Sequence, residues 1–142
     1  MKKEMFLTEV WQKYALRKMV VHAKSLGLTK GVAFLSVQKK GQKILNVKFA
    51  TVDGVFQRKS YGGDDRGTNY FGIAMGKLAV MMAYHVNSGF LAGEEGPKNG
   101  ESRYRGGLVI DIGKYTIYVG FSGGTEDQDV EIATTGMDMM KQ

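Results

Sequence analysis

At 142 residues, 43% apolar and 24% charged, the chain has the size and balance of one globular domain, predicted over residues 1–142, that needs no disulfide or structural metal to hold its core. The absence of cysteine removes thiol catalysis, thiolate metal sites, iron–sulfur clusters and disulfides, and the 2 histidines, His22 and His85, are too few for a three-histidine zinc site. Net charge +6 is unevenly spread: residues 1–60 hold 13 Lys+Arg against 3 acids and residues 61–142 hold 7 against 11, a dipole suited either to a phosphate-rich partner at the front half or to front-to-back contact between copies in a homo-oligomer. No Cys/His finger, RNA-recognition signature or basic helix with interleaved aromatics is present, so specific nucleic-acid binding is not expected. No segment approaches the roughly 18 apolar residues of a membrane helix and the start of the chain lacks a secretory core, so a cytoplasmic protein is expected.

Residues 8–26 place Ala15, Leu16, Met19, Ala23 and Leu26 on one stripe, predicting a helix capped by Thr8 and stopped by Gly27. Residues 31–38 and 43–51 then read as a hairpin around Lys39-Lys40-Gly41-Gln42. The first of these strands is apolar on both faces, with Val32 and Phe34 opposite Ala33, Leu35 and Val37, so it should be covered on both sides. Residues 52–68 read as an irregular excursion. A second helix runs from Phe71 toward Asn87, with Ala74, Met75, Leu78, Met81, Met82 and His85 on its buried face. A long glycine-rich loop over 88–107 leads to a second hairpin, 107–112 and 115–121, around Gly113-Lys114. Thr125 with Gln128 is the pattern of a capping box opening a last helix. The order predicts an α+β domain: a mainly antiparallel sheet of two hairpins packed by helices.

From Gly106 onward the chain resembles the C-terminal signature of the GlcG/HbpS-like family, which includes the C-terminal domain of PduO-type proteins. Gly106-Gly107, Val109-Ile110, Gly120, Ser122-Gly123, Gln128-Asp129, Ile132-Ala133 and Gly136 stand in register with it. The segment Ala23 to Leu28, the pair Asp53-Gly54, and the run Ile73 to Ala79 around Lys77 are similar to further family motifs. The resemblance implies a profilin-like sandwich that assembles into dimers and larger rings, and some members of the family bind heme. The chain departs from the pattern by about ten extra residues between Gly54 and Ala74, by a missing proline after Gly106-Gly107, and by Ile117 in place of a strand glycine, read as lying next to a cavity.

Several residues are candidates for a ligand site. Ser122, Gly123, Gly124 and Thr125 form a turn whose amides can converge on an anion at a helix start, although Thr125 as a plain cap explains the same residues. His85, beside Met81 and Met82, and His22, flanked by Trp11, Ala15 and Lys18, are the candidate heme-iron ligands; a core histidine and a solvated helix flank are the alternatives. Arg58, Lys59, Arg66, Arg103 and Arg105, interleaved with Tyr61, Tyr70 and Tyr104, would rim a basic pocket for a small acidic or planar ligand if the two long loops meet. Lys77 or a loop arginine could polarise a bound organic acid. The carboxylate pairs Asp64-Asp65 and Glu94-Glu95 are given no catalytic role, because adjacent solvated acids do not split their pKa values. The expectation is an oligomeric small-molecule-binding protein, with an enzyme acting on a small organic acid and a ligand-free scaffold as alternatives.

Overall fold

The computed structural model describes residues 4–89 and 96–142. Glu94-Glu95 and part of the loop predicted over 88–107 therefore lie outside the described residues.

Helix α1 spans Glu9–Ser25 and begins where expected, with the Thr8 hydroxyl accepting from the Trp11 amide at 3.2 Å. Gly27, at φ +84°, lets the chain leave the helix in a left-handed conformation that a side chain would strain. Strand β1 (Val32–Lys39) pairs with β2 (Val47–Thr51), which starts four residues later than the pattern predicts. The reason is a side-chain bracket: Ser36 Oγ and Gln38 Nε2 both donate to the Asn46 carbonyl, which is thereby withheld from the ladder. The excursion after β2 also departs from expectation. It contains a small antiparallel pair, β3 (Gln57–Arg58) with β4 (Thr68–Asn69), tied by the Asp65 carboxylate to the Arg58 guanidinium and to the Tyr61 and Gly67 amides. No alternation of apolar residues announces this pair, because its stability comes from one carboxylate rather than from a buried face.

Helix α2 (Tyr70–Tyr84) is capped by the Asn69 side chain, which accepts from Gly72 N at 3.0 Å. It ends earlier than predicted. His85 is the C-cap, at φ +54° and with its side chain 55% exposed, so it leaves the buried stripe, and Met75 is exposed as well. The buried face instead runs through Tyr70, Ala74, Lys77, Leu78 and Met81, with a lysine at its centre. Strands β5 (Gly107–Ile112) and β6 (Tyr115–Ser122) form the second hairpin, and α3 (Glu126–Met140) opens with the reciprocal Thr125–Gln128 capping box.

The four long strands make one antiparallel sheet in the order β2-β1-β6-β5. This is the predicted α+β arrangement of two hairpins, joined through β1 and β6 in the middle. On one face, Ala33, Leu35, Val37, Ile117, Val119 and Phe121 pack with Met19, Ala23, Ile132 and Met137 of α1 and α3. On the other, Val32, Phe34 and Tyr118 pack with Tyr70, Ala74, Leu78 and Met81 of α2. Ile117 belongs to the α1/α3 core, not to a cavity wall as its departure from the family pattern suggested.

Candidate functional site

The crossing of α2 over β6 brings Lys77 to the point where β6 ends and α3 begins. Its Nζ donates to the Phe121 carbonyl at 2.7 Å and to Asp129 Oδ2 at 2.9 Å. Both side chains are buried, Lys77 at 0% exposure. The other oxygen, Asp129 Oδ1, accepts from the Gly124 amide at 2.9 Å. The convergent amides of the Ser122–Thr125 turn thus already hold an anion: the carboxylate of Asp129, supplied by the helix that the turn opens.

Glycine is required at two places around this pair. At Gly106, φ +121°, an added Cβ would lie 2.7 Å from Lys77 Nζ and 2.6 Å from Asp129 Cβ. At Gly123, φ +150°, it would meet Gly31 Cα at 2.6 Å. Two glycines of the C-terminal motif therefore make room for the ion pair and for the turn that cradles it.

Burial pushes the Lys77 ammonium below its ordinary value, and the Asp129 charge only partly restores it. Burial likewise pushes the Asp129 carboxyl up, against the opposing pull of Lys77 and the two glycine amides. Burial thus works against both charges, and each is supported chiefly by the other across 2.9 Å.

Above the pair lies a cavity of ≈ 210 Å³, lined by Lys77 and Asp129, by Tyr70, Ile73 and Tyr104, and by Thr68, Ser122, Gly123, Gly124 and Glu126. It adjoins a groove of ≈ 680 Å³ that runs along Gly72 and Gly76 of α2 and the segment 97–104, sharing Thr68, Ile73 and Tyr104. The Ser102 amide bonds to the Gly76 carbonyl at 3.2 Å, which holds that segment against the helix.

The two long loops meet here, at the cavity wall lined by Thr68 and Tyr104, but two of their five cations, Arg105 and Arg58, are engaged with acids. Arg105 bonds to Asp127 at 2.6 Å, and its backbone amide donates to Glu126 Oε1 at 2.9 Å. Hydrogen bonding to Asp127 raises the Arg105 guanidinium above its ordinary value. Arg58 is paired to Asp65 at 2.8 Å and lies over the Tyr61 ring. Arg103, exposed, lines the groove. Thr125 serves as the cap of α3.

Neither histidine lies at the cavity. His22 Nε2 is 2.9 Å from Glu131 Oε2 on the outer side of α1 and α3, across the sheet. Its predicted flat-ligand surroundings are committed elsewhere: Ala15 is fully buried and the Trp11 indole donates to the Met139 carbonyl at 2.9 Å. His85 Nε2 is 2.9 Å from Asp111 Oδ2 at the surface. Asp111 is held below its ordinary value by the Thr116 hydroxyl and then by His85. Among the described residues no cluster of three or more His, Asp or Glu could hold a metal ion. Heme does not fit the Lys77 cavity: it offers no histidine, and its ≈ 210 Å³ falls below the about 300–1000 Å³ of pockets for drug-sized ligands.

What sequence reading missed is the partnership. By sequence Asp129 stands only as part of the C-terminal motif, and Tyr70 only as a loop aromatic. The available signal was Lys77 itself, a charge in the middle of an apolar helical stripe.

No family model matches the sequence, and no significant match is found among curated proteins. Solved structures with this fold are found. HbpS superposes with a TM-score of 0.63 at 20% identity, over 97% of this chain and 92% of that one. A double Glu-to-Asp mutant of Streptomyces reticuli HbpS gives 0.61 at 17% identity, over 97% and 89%. Protein ORFY of Klebsiella pneumoniae, of family DUF336, gives 0.56 at 17% identity, over 90% and 88%. The fold is that of these proteins. Among the described residues, no helix is long and apolar enough to cross a membrane.

Proposed function

We propose that this chain is a small-molecule-binding protein of the GlcG/HbpS-like type that works as a homo-oligomer, with its ligand seated in the cavity above Lys77 and Asp129. The observation that carries the reading is the buried ion pair itself. Removing two charges from water costs several kcal/mol per ion, and apolar side chains of similar volume would stabilise the fold as well or better. A pair kept in spite of that cost, beneath an opening and beside aromatic walls, is suited to recognition. The space suits a short organic acid. Its oxygen would meet Lys77, its body would lie against Tyr70 and Tyr104, and its carboxylate would face Arg103 rather than Glu126.

Assembly is supported by the uneven charge of the two halves and by exposed apolar side chains, including Val10, Val21, Ile44 and Leu45. Light scattering should report a multimer that dissociates as salt is raised; a monomer at low and high salt alike would remove the assembly reading. For the ligand, titration of isotope-labelled protein with short organic acids should move the amide resonances of Phe121, Gly123 and Gly124. Shifts scattered over the lysine-rich surface, with those three unmoved, would overturn the cavity reading. Heme is tested separately: a Soret band lost in His22→Ala or His85→Ala would place the ligand seat at that histidine instead.

A further inference from the structure

We infer that Lys77 captures a small carbonyl compound, a short oxo acid or aldehyde, as a reversible imine in the cavity, with Asp129 as its proton partner. The inference rests on the cavity reading above and names the chemical class of its ligand. An imine requires a neutral amine, a nearby acid that gives its proton back, and exclusion of bulk water. Lys77 Nζ lies 2.9 Å from Asp129 Oδ2, in a site with no exposed lysine surface. The carboxyl is fixed from its other oxygen by the Gly124 amide, so it faces the amine without rearrangement. Nζ has three hydrogens, of which Phe121 O and Asp129 Oδ2 take two, and the lone pair that would form the C–N bond is the one left when the proton facing Asp129 is transferred. The ≈ 210 Å³ above it has room for a molecule of the size of a three-carbon oxo acid.

The step balances within the pair. The ammonium passes one proton to Asp129, and the amine lone pair attacks the carbonyl carbon, forming the C–N bond while the C=O π pair moves to oxygen. A proton moves from nitrogen to that oxygen, giving the carbinolamine. The nitrogen lone pair then expels the hydroxyl, which takes the Asp129 proton and leaves as water. The products are a protonated imine, an Asp129 carboxylate and one water, with no change in oxidation state.

The test is trapping with pyruvate and cyanoborohydride at neutral pH, followed by peptide mapping. Lys77 should carry the reduced adduct ahead of exposed lysines such as Lys43 and Lys98. Adducts on exposed lysines with Lys77 unmodified would overturn the inference, and this readout needs no variant. Lys77→Met should lose that adduct while Lys43 reacts as before. Asp129→Asn should slow trapping about a hundred-fold, the scale of one general acid–base group. Lactate, which keeps the carboxylate and lacks the carbonyl, separates the two readings. If lactate moves the Gly123 and Gly124 resonances and pyruvate leaves no adduct, the imine fails and the cavity stands; if neither does anything, both fall.

Discussion

The two faces of the sheet are built differently. The α1/α3 face is apolar but for the buried Gln12, from Met19 and Ala23 through Ile117 and Val119 to Ile132 and Met137. The α2 face places a lysine in the middle of its stripe, sets the aromatic rings of Phe34, Phe49 and Phe71 in sequence, and opens at one end into a cavity. The first face is what burial of apolar area alone would select, at about 25 cal/mol per Å². The second gives up part of that return where α2, β6 and α3 converge. Stability and recognition are thus assigned to opposite sides of the same four strands.

The sharpest way to break this contrast is to remove one member of the buried pair. Asp129→Ala leaves Lys77 without its carboxylate and should destabilise by about 3–5 kcal/mol in denaturant unfolding. The double change Lys77→Met with Asp129→Leu should recover that loss, and at most exceed the parent by about 1–4 kcal/mol, while abolishing ligand-induced shifts at Gly123 and Gly124. A double variant as unstable as Asp129→Ala would show the pair to be structural. On the opposite face, Ile132→Ala should cost about 2–5 kcal/mol and leave those ligand shifts intact, because its side chain packs against the far side of β6.

Smaller effects sharpen the same comparison. Thr125→Ala removes the cap of α3 and should cost about 1 kcal/mol by the same measurement. It should also weaken ligand binding more than Thr8→Ala, which uncaps α1 away from the cavity. The smallest global effect is expected in acid at the β3–β4 pair. Hydrogen bonds from Arg58, then from the Tyr61 and Gly67 amides, hold the Asp65 carboxyl well below its ordinary value. A depressed folded value means that its contribution is present above the ordinary carboxylate range and is lost as pH falls through the folded value. Amide exchange in residues 57–69 should therefore rise in acid while that of β1 and β6 stays low. Uniform loss of protection would show the excursion to be bound to the sheet.

The pair at the site has the opposite signs. Asp129 is raised, so its contribution is complete below the ordinary carboxylate range and is lost as pH rises through its folded value. Lys77 is lowered, so its contribution is present above the ordinary lysine range and is lost as pH falls through its folded value. Near neutrality neither is recovered in full, and the apolar double variant should show a flatter dependence of stability on pH.

Most elements were legible because their signals are local. Thr8 and Thr125 with Gln128 mark helix starts through bonds that span three residues. Gly113-Lys114 closes the second hairpin, and the apolar run from Val32 to Val37 announces a strand covered on both faces. Errors arose where a side-chain or cap bond outside the apolar pattern intervened. Ser36 and Gln38 took the Asn46 carbonyl and delayed β2, Asp65 made a small sheet out of an irregular stretch, and His85 turned into a left-handed cap instead of extending α2.

Length, charge dipole, caps, turns and strand alternation depend on neighbours a few residues apart, and the amino-acid order by itself determined them. The meaning of Lys77 did not depend on its neighbours. Its carboxylate partner lies 52 residues away on another helix, and the glycine that makes room for both lies on the chain entering β5. Only the packing of α2 against β6 brings the three together, because an ion pair needs contact at about 3 Å, and no local pattern encodes a distance between separate elements.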